Sequence, residues 1–330
     1  MNQKTTLKLI SARLNMSIST VSRALSNHPD ISDATKKRVV EFAEMMEYEP
    51  NAFAVNLRTN KSKIFCIMIP EISNFFYHSF IAAIEEEARI YGYSAFILQS
   101  ANNHETELKN IKFCRQNRIA GLFIASPNFN NNIDEITKLE ALDIPVVFFD
   151  KVPTEIACNK VCVGDEAAAK IAIQMLVQKN KKNVLAFFGS EQMSITQKRL
   201  ISFNHIVAET KINSYKYFVD NANNAHNTCK EVLQNNKNID AIFCMSDEIL
   251  TGAMRAIQEL AIRIPSQLSV VAISNGYIPT LYFPLISYVE TSGYKLGKAA
   301  YIKMQACLLG NDLKTETIIE TQFINGGSIA

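Results

Sequence analysis

The sequence lacks any long uninterrupted apolar run. No stretch reaches the ~18 uncharged residues that a membrane-spanning helix needs, and the first apolar residues, Leu7 to Ile10, are interrupted by Lys8 and soon followed by Arg13. That pattern excludes the apolar segment of an export signal. The seven cysteines are scattered and odd in number, which favours reduced thiols over a disulfide framework. We therefore expect a soluble cytoplasmic protein that does not enter a membrane.

The sequence also lacks the common signatures of catalysis and cofactor binding. Its 11 glycines fit neither the G-x-G-x-x-G fingerprint for dinucleotides nor the phosphate-binding G-x-x-x-x-G-K-[ST] loop. The five histidines show no zinc-type spacing, and the pair Cys158 and Cys162 is more typical of a structural role. Gly189-Ser190 lacks the rest of the hydrolase elbow G-x-S-x-G. We expect no catalytic activity, no cofactor and no metal ion.

Charge is divided unevenly along the 330 residues. Residues 1–63 contain ten Lys and Arg against six Asp and Glu, whereas residues 64–330 contain 24 Lys and Arg against 26 Asp and Glu. Four cationic side chains precede the first acidic residue, Asp30. A basic head on a near-neutral body indicates a polyanionic partner for the head.

The body alternates short apolar runs with helix-like stretches. Runs rich in β-branched and aromatic residues recur eight times between residues 64 and 273, and the intervening stretch Asp247–Leu260 shows a clear helical period. Strands joined by helical crossovers form parallel sheets. Because eight or more strands overfill one typical sheet, the pattern predicts two similar α/β lobes.

Several of the predicted strands end at a small polar or acidic residue. In open parallel sheets, ligands bind beyond the carboxyl ends of the strands, although each such residue taken singly also suits a helix N-cap or a turn. Because five strand ends share the feature, we favour a binding cleft that these residues line. They are Ser126, Asp150, Ser190, Ser246 with Asp247, and Ser274 with Asn275.

The first 50 residues show three helical patterns and no strand pattern. Thr6, Ser17 and Ser32 are suited to cap the three helices. Asn15 stands between the first two, and Asn tolerates the left-handed conformation of a tight turn. Three short helices arranged in this way predict a helix-turn-helix.

The second helix of a helix-turn-helix enters the major groove of DNA. Here its outward residues are small and hydroxylated, and Arg23 provides the fork that pairs with guanine. An ordinary polar face is the alternative interpretation, but residues 17–25 contain no acid.

The motif residues closely resemble the LacI–GalR family of bacterial transcription regulators. The resemblance extends over nearly the whole chain. The residues that carry it are Thr6-Leu7, Ser17–Leu25, Ser32 with Thr35, Tyr48–Ala52, Leu57–Thr59, Ile72–Asn74, Ile84-Glu85, Phe149-Asp150, Ser246–Glu248 and Leu268–Val271.

This resemblance implies an N-terminal all-α helix-turn-helix DNA-binding domain at residues 1–50 and a hinge segment at 51–62. It further implies an effector-binding and dimerisation domain at 63–330, with the two-lobed α/β fold of periplasmic sugar-binding proteins. Lobe one is expected at about 63–162 plus 291–322, and lobe two at about 163–290 plus 323–330. Since the chain stops at Ala330 without the heptad tail of tetrameric members, we expect a homodimer.

The resemblance also implies which residues contact DNA. Asn51 to Arg58 matches the segment that becomes helical on operator DNA, and Leu57 matches the leucine that wedges into the minor groove. A flexible linker is the other interpretation, and both hold if the segment orders on binding. In the head, Ile18, Ser19 and Arg23 match base-reading positions, and Thr6, Ser17, Thr20 and Ser22 match phosphate contacts.

Effector contacts in the cleft are implied in the same way. Phe76 and Tyr77 match aromatic positions that pack on a ligand, and Asp150 matches a polar contact. Arg199 matches an arginine that holds a ligand hydroxyl or carboxylate, with a surface salt bridge as the alternative. The expected set also includes Ser246, Asp247 and Ser274.

Several cleft positions depart from the family's pattern. Ser246 replaces a usual asparagine, Ser274-Asn275 replaces a frequent aspartate, Gly164 replaces another aspartate, and Phe75 replaces a proline. The chain has no tryptophan to stack on a sugar. The effector is therefore left open between a sugar, a sugar derivative or acid, and no effector.

We expect a sequence-specific transcription regulator, a repressor of carbohydrate-related genes, that binds double-stranded operator DNA and answers to a small molecule. One alternative is a regulator controlled by a non-sugar metabolite or a protein partner. The other is a transport-type solute-binding protein, which would need an export signal and no helix-turn-helix, the reverse of what this sequence has.

Overall fold

The computed structural model describes residues 5–49, 62–126, 129–153, 156–311 and 313–330. The chain separates into two compact units, residues 1–61 and 62–330, which we call the head and the body. The predicted contact residues Asn51 and Leu57 lie outside the described residues, as does all of the predicted hinge segment except Ser62.

The head consists of three helices, α1 (Leu7–Leu14), α2 (Ile18–Leu25) and α3 (Asp33–Met45). Each begins at a side chain that accepts a hydrogen bond from a first-turn amide, namely Thr6, Ser17 and Ser32. Asn15 ends α1 with φ 56° and turns the chain into α2. The helix-turn-helix prediction is confirmed. Its core is made of Ile10, Leu14, Val21, Ala24, Val39 and Ala43.

The body holds two six-stranded sheets. Along the chain the strands are β1 (Ile64–Ile69), β2 (Ser94–Gln99), β3 (Gly121–Ile124), β4 (Val146–Phe149), β5 (Asn159–Val163), β6 (Asn183–Phe188), β7 (Asn213–Phe218), β8 (Ala241–Cys244), β9 (Ser269–Ser274), β10 (Ser287–Glu290), β11 (Glu316–Ile319) and β12 (Gln322–Ile324). The first sheet has the order β11-β5-β4-β3-β1-β2 and the second β12-β10-β9-β8-β6-β7. β12 pairs antiparallel with β10, and the other ladders of the described strands are parallel.

Helices cover both sheets. They are α4 (Phe75–Ile90), α5 (His104–Gln116), α6 (Phe129–Glu140), α7 (Asp165–Gln178), α8 (Ser194–Glu209), α9 (Ala222–Asn235), α10 (Asp247–Glu259) and α11 (Gly293–Leu308), with a 3₁₀ turn at Ile278–Leu281. Lobe one comprises the first sheet with α4–α6 and α11, and lobe two comprises the second sheet with α7–α10. The predicted two-sheet α/β architecture is confirmed.

Burial on both faces explains the apolar character of the central strands. Every residue of β3, β4, β8 and β9 is buried, as expected when helices cover both sides of a parallel sheet. In lobe one, the rings of Phe80 on α4 and Phe149 on β4 stack with centroids 3.7 Å apart.

The chain passes between the lobes three times, after β5, after β10 and after β11. These crossovers join the lobes along one side and leave the carboxyl ends of both sheets facing each other. None of the described helices combines the length and apolarity needed to cross a membrane.

The packing of α10 on α9 generates a stability prediction at Gly252. A Cβ at Gly252 would lie 2.1 Å from the backbone oxygen of Ala222, so Gly252→Ala forces the two helices apart. We expect the variant to lower the free energy of unfolding by about 2 kcal/mol, measured by urea unfolding. Gly164→Ala is the matched control, since its nearest neighbour would lie 3.5 Å away. Equal stability of Gly252→Ala and wild type would contradict this account of the packing.

Candidate DNA-reading helix and effector cleft

Helix α2 presents to solvent a face that contains no acidic residue. Ser17 accepts a hydrogen bond from the amide of Thr20 at 3.0 Å, which fixes the start of the helix. Ser17, Ser19 and Arg23 are exposed, and Ile18 keeps 48% of its surface accessible although it is apolar. Exposure of an isoleucine beside small hydroxyl side chains gives this face both apolar and hydrogen-bonding contact groups.

Arg23 is available for a ligand. Its guanidinium lies 3.8 Å from the carboxylate of Asp30, and its side chain remains 54% exposed. Such an exposed pair contributes little stability, so an incoming polyanion can replace Asp30 at low cost. The predicted phosphate contacts Thr6, Thr20 and Ser22 lie at the starts of α1 and α2 or along α2, with Thr6 exposed.

A cleft of about 820 Å³ lies between the two lobes of the body. Residues at or just beyond the carboxyl ends of β1, β4, β6, β8 and β9 line it, because parallel strands deliver their last residues to one edge. The structure brings together all seven predicted effector residues on its walls, namely Phe76, Tyr77, Asp150, Arg199, Ser246, Asp247 and Ser274.

On the lobe-one wall, Tyr77 and Asp150 form a buried hydrogen bond. The Tyr77 hydroxyl donates to Asp150 Oδ2 at 2.6 Å, and burial next to this carboxylate holds the pKa of Tyr77 well above its usual value. Lys151 follows directly and donates to Asn102 Oδ1 at 3.1 Å. Burial lowers the pKa of Lys151, opposed by the nearby carboxylates of Asp150, Glu71 and Glu248.

On the lobe-two wall, Arg199 is engaged inside the protein. Its Nε and Nη2 lie 2.8 and 2.7 Å from Asp165 Oδ1, and its Nη1 donates to the backbone oxygen of Met245. Both members of the ion pair are buried, with Asp165 4% and Arg199 5% exposed. Burial raises the pKa of Asp165, and the Arg199 charge opposes that rise. The alternative of a surface salt bridge is right about the salt bridge and wrong about its location, because the pair is buried and Arg199 lines the cleft.

Asp247 is held by the end of β9. The Ser274 hydroxyl donates to Asp247 Oδ1, and the backbone amide of Asn275 donates to Oδ2 at 2.9 Å. Burial raises the pKa of the Asp247 carboxyl, while these two hydrogen bonds lower it. Ser246 caps α10 by accepting from the Ile249 amide at 3.4 Å, so it serves as an N-cap at the same time as it lines the cleft.

Carboxylates dominate the charge of the cleft. Arg199 is already neutralised by Asp165, which leaves Lys151 as the cation least compensated among the described lining residues. An anionic ligand would therefore enter a negative field, at a cost of up to about 4 kcal/mol per charge pair at 4 Å in a medium of intermediate polarity. The charged lining residues are Glu71, Asp150, Asp220, Asp247 and Glu248 against Lys151 and Arg199.

One predicted lining residue lies elsewhere. Ser126, at the end of β3, is 4% exposed and is not among the described lining residues of the cleft. Its hydroxyl donates to Glu107, which also accepts from Asn132 at 2.8 Å. The prediction for Ser126 is wrong because α5 places a buried carboxylate over the end of β3.

Among the described residues, no group of three or more His, Cys, Asp or Glu side chains is arranged to hold a metal ion. The pair Cys158 and Cys162 is buried in the lobe-one core, and burial raises the pKa of both thiols. Reactive thiols have a lowered pKa, so these two cysteines are packing residues.

Comparison with family models matches both parts of the chain. Residues 6–51 match the model of bacterial regulatory proteins of the lacI family. Residues 62–320 match the model of periplasmic binding proteins and the sugar-binding domain of the LacI family. The chain belongs to the LacI family. The predicted resemblance is confirmed, and the chain is a DNA-binding transcription regulator of that family.

Individual LacI-family relatives align along most of their length. The HTH-type transcriptional regulator RegA of Clostridium saccharobutylicum is 25% identical over 302 residues, which cover 90% of each chain. The ribose operon repressor of Halalkalibacterium halodurans is 25% identical over 294 residues, covering 89% of this chain and 87% of the relative. A lac repressor dimer bound to operator and the anti-inducer ONPF has the same fold, with a TM-score of 0.87 at 19% identity over 99% of this chain and 100% of that chain.

Sequence reasoning missed four charged residues that line the cleft, Glu71, Lys151, Asp220 and Glu248, and also the buried partner of Arg199, Asp165. Lys151 directly follows the predicted Asp150, so its position beside a strand end was a usable signal. Asp165 lies 34 positions from Arg199, and no local pattern links the two.

The buried pair generates a second stability prediction. Asp165→Asn leaves the Arg199 guanidinium buried without a counter-charge, so we expect a loss of about 3 kcal/mol in the free energy of unfolding, measured by urea unfolding at neutral pH. Glu209→Gln is the matched control, because Glu209 pairs with His205 at the surface with 59% of its side chain exposed. If Asp165→Asn were as stable as the control, the pair would not stabilise this wall.

Proposed function

We propose that α2 of this LacI-family regulator lies in the major groove of a pseudo-palindromic operator and that the protein represses carbohydrate-related genes. The acid-free, exposed face of α2 carries this proposal. Ile18, Ser19 and Arg23 read base edges, and Ile18 packs on a thymine methyl group. Thr6, Ser17, Thr20 and Ser22 contact phosphates, which position the head without reading sequence.

We also propose that the segment between the head and the body contacts DNA. Residues 1–50 form the DNA-binding domain, 51–62 the hinge segment and 63–330 the effector domain. Asn51 contacts DNA, and the segment from Asn51 to Arg58 orders on the operator, where Leu57 enters the minor groove and kinks the duplex. Support comes from the family's motif at these positions, since the residues lie outside the described part of the chain.

Arg23→Ala tests the base-reading assignment. Loss of the guanidinium removes its two hydrogen bonds to a guanine, so preference for operator over random duplex should fall about 10- to 100-fold, while weak salt-dependent binding survives. Fluorescence anisotropy with labelled duplexes measures both affinities. Lys37→Ala removes an equally positive exposed side chain from α3 and should leave the preference unchanged. An Arg23→Ala variant with full operator preference would refute the assignment.

We propose that the regulator is a homodimer through apolar surface of the body. The edge strand β2 exposes 47% of Phe96 and 39% of Ile97, and the loop before β10 leaves Phe283 fully exposed beside the half-exposed Leu281 and Leu285. Unpaired strand edges and contiguous exposed apolar groups are typical of association surfaces. One such surface lies on each lobe, so a symmetric pair could bury both.

Phe96→Lys tests this interface. A charge buried at the β2 edge should raise the dimer dissociation constant by about 30-fold or more, which sedimentation velocity at micromolar concentration measures. Ile302→Lys is the control, because Ile302 is 71% exposed on α11 and is not one of the residues that define the two apolar surfaces. Unchanged dimerisation of Phe96→Lys, or a monomeric wild type, would exclude the β2 surface.

The effector is an uncharged sugar or sugar derivative bound in the cleft, where it changes operator affinity. The clustering of hydroxyl, amide and carboxylate groups with Phe76 suits polyols, and the excess of carboxylates disfavours a sugar acid or phosphate. The existence of a ribose operon repressor among the relatives supports a sugar. In this role the protein acts in the cytoplasm as a non-catalytic regulator.

A thermal-shift panel of neutral sugars, sugar acids, sugar phosphates and nucleobases tests the effector class. A neutral sugar at 100 times its dissociation constant should stabilise the body by ~2.7 kcal/mol. Asp150→Asn should abolish the shift, whereas Asp134→Asn, exposed on α6, should retain it. Stabilisation by anionic compounds alone, or by no member of the panel, would contradict the proposal and favour a non-sugar metabolite or a protein partner.

A further inference from the structure

The side chain of Asn275 bridges the two lobes of the body. Asn275 follows β9 in lobe two, where its own amide is bonded to Asp247. Its Oδ1 accepts from the amide of Gly293 at 2.8 Å and lies 3.1 Å from the Ser79 hydroxyl of α4, whose one proton is shared with the backbone oxygen of Phe76 at 2.9 Å. Its Nδ2 donates to the backbone oxygen of Phe75 at 3.3 Å. One amide thus joins lobe two to α4 and to the crossover that enters α11.

The amide of Asn275 suits its hydrogen-bond partners. The Gly293 N–H can only donate and the Phe75 carbonyl can only accept, so the bridging group must offer one acceptor and one donor. Asparagine meets both requirements in a single orientation. An aspartate would keep the acceptor, lose the donor and place its charge against the Phe75 carbonyl oxygen.

The crossover packs closely against α4 at Gly293. A Cβ at Gly293 would lie 2.3 Å from the Phe76 backbone oxygen and 2.4 Å from Ser79 Oγ. The start of α11 is therefore pressed against the start of α4, and Asn275 is bonded to both. An aromatic contact extends the bridge, because the rings of Phe75 in lobe one and Tyr277 in lobe two have centroids 5.1 Å apart.

We propose that Asn275 sets the angle between the two lobes, with Phe75 and Tyr277 completing an inter-lobe clasp that holds the lobes together. Asn275 also lines the cleft, so a ligand that hydrogen-bonds its amide competes with the clasp. The link to DNA affinity rests on the proposed function, but the clasp itself is a property of the body and is tested without DNA or effector.

Double electron–electron resonance on the full chain tests the clasp. Spin labels attached through a bio-orthogonal amino acid at Lys109 on α5 and Asn223 on α9, both exposed, report the distance between lobes. With the doubly labelled chain diluted in an excess of unlabelled chain, so that distances between protomers do not contribute, wild type should give one narrow distribution. Asn275→Ala should shift and broaden it, because each lost hydrogen bond changes the balance of lobe arrangements about five-fold. Asn275→Asp should do the same, since it removes the donor and introduces repulsion.

Matched variants distinguish loss of the clasp from a general loss of stability. Asn213→Asp makes the same chemical change at an exposed site whose side chain bonds to Asn183 within lobe two, and it should keep the wild-type distribution. Ser79→Ala removes a single donor and should produce a smaller shift in the same direction, which preserves the test if the Asn275 variants do not fold. Wild-type distributions for folded Asn275→Ala and Asn275→Asp, or for Ser79→Ala if neither folds, would overturn the proposal. If the wild-type protein bound neither operator nor sugar while the Asn275 variants changed the distance distribution as expected, the proposed function would be refuted and the clasp would stand.

Discussion

Parallel strand pairing is the constraint on which the body of this regulator depends. Parallel strands must be joined by crossovers, and all the parallel strands of a sheet deliver their last residues to the same edge. In each lobe that edge faces the other lobe, and the residues following β4, β6, β8 and β9 meet in one cleft. Residues as distant in sequence as Asp150 and Ser274 therefore line the same cleft.

A cleft built in this way is internally bonded before a ligand arrives. Arg199 is satisfied by Asp165 and Met245, Asp247 by Ser274 and Asn275, and Asp150 by Tyr77. Burying polar groups without partners is costly, which explains why the polar residues of the cleft are paired with each other. A ligand therefore binds by exchanging hydrogen bonds, and an exchange on one wall can alter how the lobes are held.

The sequence predicts best what is decided locally. The three caps of the head and the turn at Asn15 depend on a few adjacent residues, and all appear at the predicted positions. Strand-end patterns also located the cleft, since Asp150, Ser246 and Ser274 line it. Local sequence patterns did not predict the surroundings of a side chain that packs against an element distant in sequence. Glu107 on α5 covers Ser126, and Asp165 neutralises Arg199. Ser79 on α4 contacts Asn275, which lies 196 positions later in the sequence.

Selection of bound duplexes from a random double-stranded DNA pool, read by sequencing, tests the account most directly. A dimer that places two copies of α2 in successive major grooves should enrich one pseudo-palindrome with half-sites about one helical turn apart, or a multiple of that spacing. Absence of any enriched sequence, or enrichment of single half-sites without a fixed spacing, would contradict the account of a symmetric, sequence-reading regulator.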